Sequence, residues 1–255
     1  MTKKTFFLSD FHLGVDARIS SHEREKILCK FFDSIAHEAE RIFLVGDVFD
    51  FWFDYKHAIP KGYIRLLGKL AELRDFGIEM HFFRGNHDLW MFHYFQDELG
   101  IPIYSKPKEF NLNGKSFLIG HGDGLGPGDH GYKFIKKIFT SPISQFLFRW
   151  IHPDIGIGLA NYFSGKSRNA QDLIQTFQGV DQEWLIQYCE QKIQENPYDY
   201  LVFGHRHLPI DYVLKNQHSR YVNLGDWLSF QSYAVFNGES LSLQFFENEF
   251  GKVYP

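Results

Sequence analysis

The stretch Arg41-Ile42-Phe43-Leu44-Val45-Gly46-Asp47-Val48-Phe49-Asp50 sets a short apolar run against a Gly-Asp break. A run of this length, rich in branched and aromatic residues, reads as a buried strand over residues 41–45. The acid then stands where the strand ends. The same order recurs to either side. Residues 5–9 form an apolar strand that ends in Asp10-Phe11-His12. Residues 78–84 form another, ending in Gly85-Asn86-His87-Asp88. Helical patterns separate the strands. Ser20-x-x-Glu23 is a capping box, followed by Ile27, Leu28, Phe31, Phe32 and Ile35 at helical spacing. Pro60 can start a second helix running to about Phe76. The β-α-β-α-β order predicts parallel strands in a layered α/β fold.

Further along, the grammar changes. Asn113-Gly114 joins residues 109–112 and 115–120 as a tight hairpin, and Asn237-Gly238 joins residues 233–236 and 240–246. The first hairpin ends in Gly120-His121-Gly122-Asp123. A buried strand over residues 200–204 ends in Gly204-His205-Arg206-His207. Residues 131–198 interrupt the strands as helices broken at Pro142, Pro153 and Pro197. The expected architecture is a mixed-sheet sandwich with helices outside. Its core is residues 1–130 and 199–255. A helical cap is inserted at residues 131–198, within one continuous domain.

Composition bounds the chemistry. The chain has 255 residues, 44% of them hydrophobic, with a net charge of −4. Disordered, collagen-like and coiled-coil readings are excluded as the main class. No apolar run approaches the ~18 residues of a spanning helix. The start is too short in apolar length for a signal peptide, and two cysteines build no disulfide framework. A cytoplasmic location is expected. The net charge gives no case for nucleic acid, and no obligate protein partner is evident.

Each strand thus stops at a metal-ligand residue type, usually beside a glycine. Loops at the carboxyl ends of strands in α/β folds converge on one site. Seven donors result: Asp10, His12, Asp47, Asn86, His121, His205 and His207. One cation needs about four to six donors, so seven suit two cations. Asp47, the single donor of its loop, can bridge the two with both carboxylate oxygens. Two cations ~3.5–4 Å apart activate water and clamp a phosphoryl group. Carboxylate, imidazole and amide donors without thiolate suit manganese first, with iron or zinc possible.

These motifs resemble the calcineurin-like metallophosphoesterase superfamily: Asp-x-His, Gly-Asp-x-x-Asp, Gly-Asn-His-Asp, Gly-His and Gly-His-x-His, in order over residues 10–207. The resemblance implies a metallophosphoesterase αββα sandwich with a two-metal centre. Asp10, His12, Asp47 and His207 would hold one metal, and Asp47, Asn86, His121 and His205 the other. His87 would face the phosphate, oriented by Asp88. A narrower resemblance, to the UDP-2,3-diacylglucosamine diphosphatase family, rests on three segments. They are residues 9–13, Ser-Asp-Phe-His-Leu; residues 46–52, Gly-Asp-Val-Phe-Asp-Phe-Trp; and residues 121–125, His-Gly-Asp-Gly-Leu. Asp129, Gly131-Tyr132 and residues 204–209 add to it. That family hydrolyses the pyrophosphate of a lipid-linked UDP-sugar to UMP and 2,3-diacylglucosamine 1-phosphate in lipid A biosynthesis. It implies substrate contacts from Asp129 and Tyr132, and from the cap residues Asn161, Ser164, Lys166 and Arg168. The family usually carries arginine where this chain has His87. Another phosphodiester, a nucleotide or a phosphoprotein therefore stays open as substrate, and a non-catalytic scaffold is the reading from a different class.

The cap carries its own signal. Ile143, Phe146, Leu147, Trp150 and Ile151 form one helical stripe. Residues 131–169 hold six basic groups against one acid, a net +5 that leaves −9 for the remainder. Basic aromatic helices can sit at an anionic membrane surface or line an acyl-chain groove; together with the lipid substrate that the resemblance implies, they make a peripheral place on the cytosolic face of the inner membrane the expectation. Arg84 is a candidate phosphate contact, Asp50 a residue that orients a ligand, and Asp123 one that orients His121. Trp52 is either a wall of the substrate site or packing.

Overall fold

The computed structural model describes residues 3–128, 130–160, 162, 176–248 and 251–255. Two mixed sheets lie face to face with helices outside them. The first sheet begins with β1 (Lys4–Leu8), α1 (Ser21–Ile35), β2 (Ala39–Val45), α2 (Ile64–Asp75), β3 (Glu79–Phe83), α3 (Tyr94–Leu99) and β4 (Ile103–Tyr104). The second contains β5 (Lys108–Leu112), β6 (Lys115–Gly120), β7 (Tyr200–Phe203), β8 (Pro209–Val213) and β9 (Arg220–Leu224). The chain returns to the first sheet with β10 (Ser232–Phe236) and β11 (Leu241–Phe245). The orders are β11-β10-β1-β2-β3-β4 and β5-β6-β7-β9-β8.

Strand alternation builds three apolar layers. Phe6 and Leu8 point to α1 and α2, meeting Leu28, Phe31, Leu66 and Leu70. Phe7, one residue on, points between the sheets and stacks on Phe43 and Phe117. Leu118, Leu201 and Phe203 face the third layer. There they meet Leu185, Ile186 and Cys189 of α6 (Trp184–Glu195), the helix that ends the helical segment. That helix covers the second sheet. Its residues belong with the sandwich rather than with a cap over it, because its apolar face fills the layer that any αββα core needs.

The predicted strands recur within one or two residues at each end. The capping box is present: Ser20 Oγ accepts the Glu23 N–H at 3.2 Å, and Glu23 accepts the Ser20 N–H at 3.1 Å. The second helix begins at Ile64 rather than Pro60, because Gly62 takes a φ of 112° that no helix contains. The sequence reading missed β8 and β9. They carry Pro209, Asp211 and Arg220, and the polar pair Asp211–Arg220 joins them across the strands. An edge position is where a strand tolerates proline, and β8 is that edge.

Between β6 and α6 lie α4 (His130–Phe139), α5 (Pro142–Arg149) and a helical stretch over residues 153–160. They dock at two places. Tyr132 Oη donates to Asp123, and Lys133 Nζ to the Gly126 carbonyl. On the other side Trp90 Nε1 donates to the Phe139 carbonyl at 2.8 Å, and its ring packs on Phe148 at 4.4 Å.

Candidate metal centre

The carboxyl ends of five strands are in register. Leu8 pairs with Leu44, Val45 with Phe83, and Gly120 with Phe203. The loops beyond them are stitched to each other. Asp10 N–H donates to the Gly46 carbonyl and His12 N–H to the Asp47 carbonyl, both at 3.0 Å. Across the two sheets, Asp10 Oδ2 accepts the His205 N–H at 3.0 Å. Asp10, His12, Asp47, His205 and His207 all have positive φ, between 45° and 70°. Such conformations cost about 1–3 kcal/mol each and persist where surrounding bonds over-determine them.

The predicted donors come together at the strand ends in two sets, and His12, Asp47 and His87 form a third group that overlaps both. In the first, Asp10, His12 and His207 bring ligand atoms within 4.8 Å of one another. In the second, Asp47, His121 and His205 do the same. Asn86 joins the second set, its Oδ1 lying 3.2 Å from His121 Nε2. Asp47 Oδ2 lies 3.2 Å from His121 Nε2 and 3.7 Å from His12 Nε2. It therefore stands between the sets with one oxygen, not two. Its Oδ1 accepts the His87 N–H at 2.8 Å.

These residues fit divalent cations. Asp10 Oδ1 is buried without a hydrogen-bond donor. His12 Nε2 and His207 Nε2 face each other at 3.3 Å, so a proton or a cation can lie between them. The other ring nitrogens are already held. His207 Nδ1 lies 3.1 Å from Asp226 Oδ2, His121 Nδ1 2.8 Å from the Val45 carbonyl, and His12 Nδ1 3.4 Å from Asp50 Oδ1. Each Nε2 is thereby fixed toward the cleft, as metal-ligating histidines require. Cys29 and Cys189 lie in other parts of the fold, so no thiolate enters the donor set.

The electrostatics follow from burial and charge. Burial works against the charged form of His12, but the surrounding carboxylates of Asp10, Asp50 and Asp47 outweigh it, raising the imidazole to about 10. His121 rises to about 10 in the same way, through Asp47. Burial and the neighbouring His121 push His205 down to about 4. His12 and His121 would have to give up these protons to hold a cation, so affinity for one would rise with pH.

Several expected positions need correction. Asp88 does not orient His87. Its oxygens accept the N–H groups of Gly85, at 2.6 Å, and Val48, at 3.0 Å. Burial, reinforced by the charge of Asp47, raises its carboxyl to about 7. Asp50 orients the imidazole instead, with its carbonyl 3.2 Å and its Oδ1 3.4 Å from His87 Nδ1. Asp123 makes no hydrogen bond to His121 among the described residues; it holds Tyr132 and Lys136. Trp52 is fully buried in the helix layer and is packing. Arg84 is half-buried beside Phe92, its Nε without a partner. Tyr132 lies at the rim, its ring 6.4 Å from that of His205. Asp129, Asn161, Ser164, Lys166 and Arg168 lie outside the described residues. The sequence reading missed Asp226. Its signal was present, a Gly-Asp after an apolar strand, but β9 had not been read as a strand.

Comparison with known proteins places the chain among phosphoesterases. The family model for calcineurin-like phosphoesterase matches residues 3–209. A UDP-2,3-diacylglucosamine hydrolase of Porphyromonas gingivalis is 36% identical over 261 aligned positions, covering 97% of this chain and 99% of that protein. A protein of the same name from Histophilus somni is 28% identical, covering 88% and 92%. A solved archaeal phosphodiesterase has the same fold, with a TM-score of 0.50 at 12% identity over 95% of this chain and 99% of that one. On the full-length similarity and the matched motifs together, the chain belongs to the calcineurin-like phosphoesterase family.

Proposed function

We propose that this metal-dependent hydrolase cleaves the pyrophosphate of UDP-2,3-diacylglucosamine, yielding UMP and 2,3-diacylglucosamine 1-phosphate for lipid A biosynthesis. The observation that carries the substrate is the end-to-end similarity to the Porphyromonas gingivalis protein named for it. In this reading Asp10, His12, Asp47 and His207 hold one cation, and Asp47, Asn86, His121 and His205 the other. Manganese is the preferred metal, with iron and zinc accommodated by the same donors. Bound cations would neutralise charge building on phosphorus. His87 works beside them, with Asp50 fixing its ring. Burial lowers the His87 pKa against the pull of Asp47, and the Asp50 carbonyl, an acceptor 3.2 Å from Nδ1, holds a ring proton at that nitrogen. An arginine there would be a permanent cation. The test is UMP release from UDP-2,3-diacylglucosamine by purified protein with manganese. Release is expected, and loss on the order of 10³-fold in His121→Ala. Brisk cleavage of a generic soluble phosphodiester without UMP release would keep the metal centre and discard the lipid substrate.

The cap supports a peripheral place on the cytosolic face of the inner membrane. No helix of the described residues is long and apolar enough to cross a membrane. Yet Trp150 and Ile143 are 78% and 72% exposed, with Phe134, Phe146 and Leu147 also turned outward. Lys137 and Arg149 lie on the same two helices. Apolar side chains flanked by cations insert at an anionic interface. Cosedimentation with phosphatidylglycerol vesicles is expected, weakened roughly tenfold or more by serine at Ile143, Phe146 and Trp150 together. Equal sedimentation of the triple variant would remove the proposal.

A further inference from the structure

Arg206 stands between two histidines that the metal-centre reading assigns to different cations. Its side chain is 6% exposed. Nε donates to Glu183 Oε2 at 2.6 Å and Nη2 to Oε1 at 2.7 Å. Glu183 is 1% exposed and stands at the N-cap of α6. Its side chain makes no capping bond to that helix. Both its oxygens go to the arginine. Trp184 adds a second grip, its ring 4.8 Å beneath the guanidinium and 6.5 Å from the His205 ring.

The backbone at this point is held open. His205 and His207 have φ of 70° and 55°, and the Arg206 N–H closes back on the Gly204 carbonyl at 2.8 Å. Left-handed histidines relax unless neighbours forbid it. A bidentate, stacked guanidinium fixes the residue between them in position and orientation, which a single point charge does not. We propose that Arg206, locked to Glu183, is a positioning residue that sets the His205–His207 loop in its ligand-presenting geometry and ties that loop to the start of α6. The inference rests on the reading of His205 and His207 as metal ligands.

The experiment is titration calorimetry of full-length, chelator-stripped protein with Mn²⁺, beside thermal melting. A buried ion pair replaced by apolar residues of similar size often keeps the fold. Arg206→Met with Glu183→Leu is therefore expected to melt near the parent. Its Mn²⁺ affinity is expected to fall about 10–100-fold, the effect of losing a ligand's support. Arg206→Lys keeps the charge, loses the fork and remains foldable. It is expected to lie between parent and double variant. A purely structural pair would move the melt and leave Mn²⁺ affinity alone, which would overturn the inference. So would parent-like affinity in Arg206→Lys should the double variant fail to fold. A parent that binds no Mn²⁺ would overturn the metal-centre reading along with it. Binding by the parent with equal binding by folded variants would overturn this inference alone.

Discussion

Asp47→Asn is expected to fold and to lose at least about 10³-fold in kcat, roughly 4 kcal/mol of transition-state stabilisation. The asparagine keeps an oxygen for the His87 N–H that Asp47 Oδ1 now accepts. What it removes is charge, at the one carboxylate oxygen that faces both His12 and His121. Burial resists ionisation of Asp47, yet His121 and His87 hold its carboxyl well below the ordinary range. Among the donors, it is therefore the fixed anion shared by both sets. Loss of a donor serving one set would weaken one cation; loss of this one weakens two. Asp47→Ala adds an unsatisfied buried N–H at His87, costing about 1–3 kcal/mol more in stability. Metal content by elemental analysis, turnover and melting temperature separate the effects. An asparagine variant that retains two equivalents of metal and a tenth or more of parental turnover would remove Asp47 from the shared position.

The residues that carry chemistry were legible because each follows an apolar strand and each strand ends in the same way. Parallel register then does the rest, since Leu8, Leu44 and Phe82 lie side by side across the first sheet and the loops beyond them must emerge together. Asp50 was read as a residue that orients a ligand, and it lies 3.4 Å from His12 Nδ1; what the sequence misassigned was the partner of His87, and Asp226 escaped it. Asp50 and Asp88 each close a motif, Gly-Asp-x-x-Asp and Gly-Asn-His-Asp, and either could have faced His87. Only the turn at Asp47–Asp50, pinned by the Asp50 N–H to the Leu13 carbonyl, decides it for Asp50. Asp226 was lost with β9, whose arginine and asparagine spoil the apolar signature although Asn223 is buried against the Gly204 carbonyl. The extent of the helical insertion was misjudged at its far end for a related reason. The stripe of α6 fills a core layer, and a stripe alone does not say which surface it meets.

Gly85→Ala is expected to lose on the order of 10²–10³-fold in turnover while every donor remains in the chain. A methyl at Gly85 would stand 2.6 Å from the Asp47 backbone nitrogen and 2.1 Å from its Oδ1. A side-chain tip can rotate away; a backbone nitrogen at the end of β2 cannot. The loops after β2 and β3 must then separate, and Asp47 moves from between the two donor sets. A displacement of about 1 Å is enough to cost 10²-fold in a positioned reaction. The stability cost is that of overpacking, about 1–3 kcal/mol. Gly68→Ala supplies the matched control. It makes the same chemical change on the exposed face of α2, where the added methyl meets nothing within 4 Å. There the helix gains about 0.5–1 kcal/mol, and turnover is expected to be unchanged. If Gly85→Ala destabilised the chain but each folded molecule kept parental turnover and metal content, Asp47 would not be held by the steric limit at Gly85. The close approach of the two loops would then be a feature of packing alone. Loss of turnover with full secondary structure, against an active Gly68→Ala, would show that the glycine before Asn86 sets the position of Asp47.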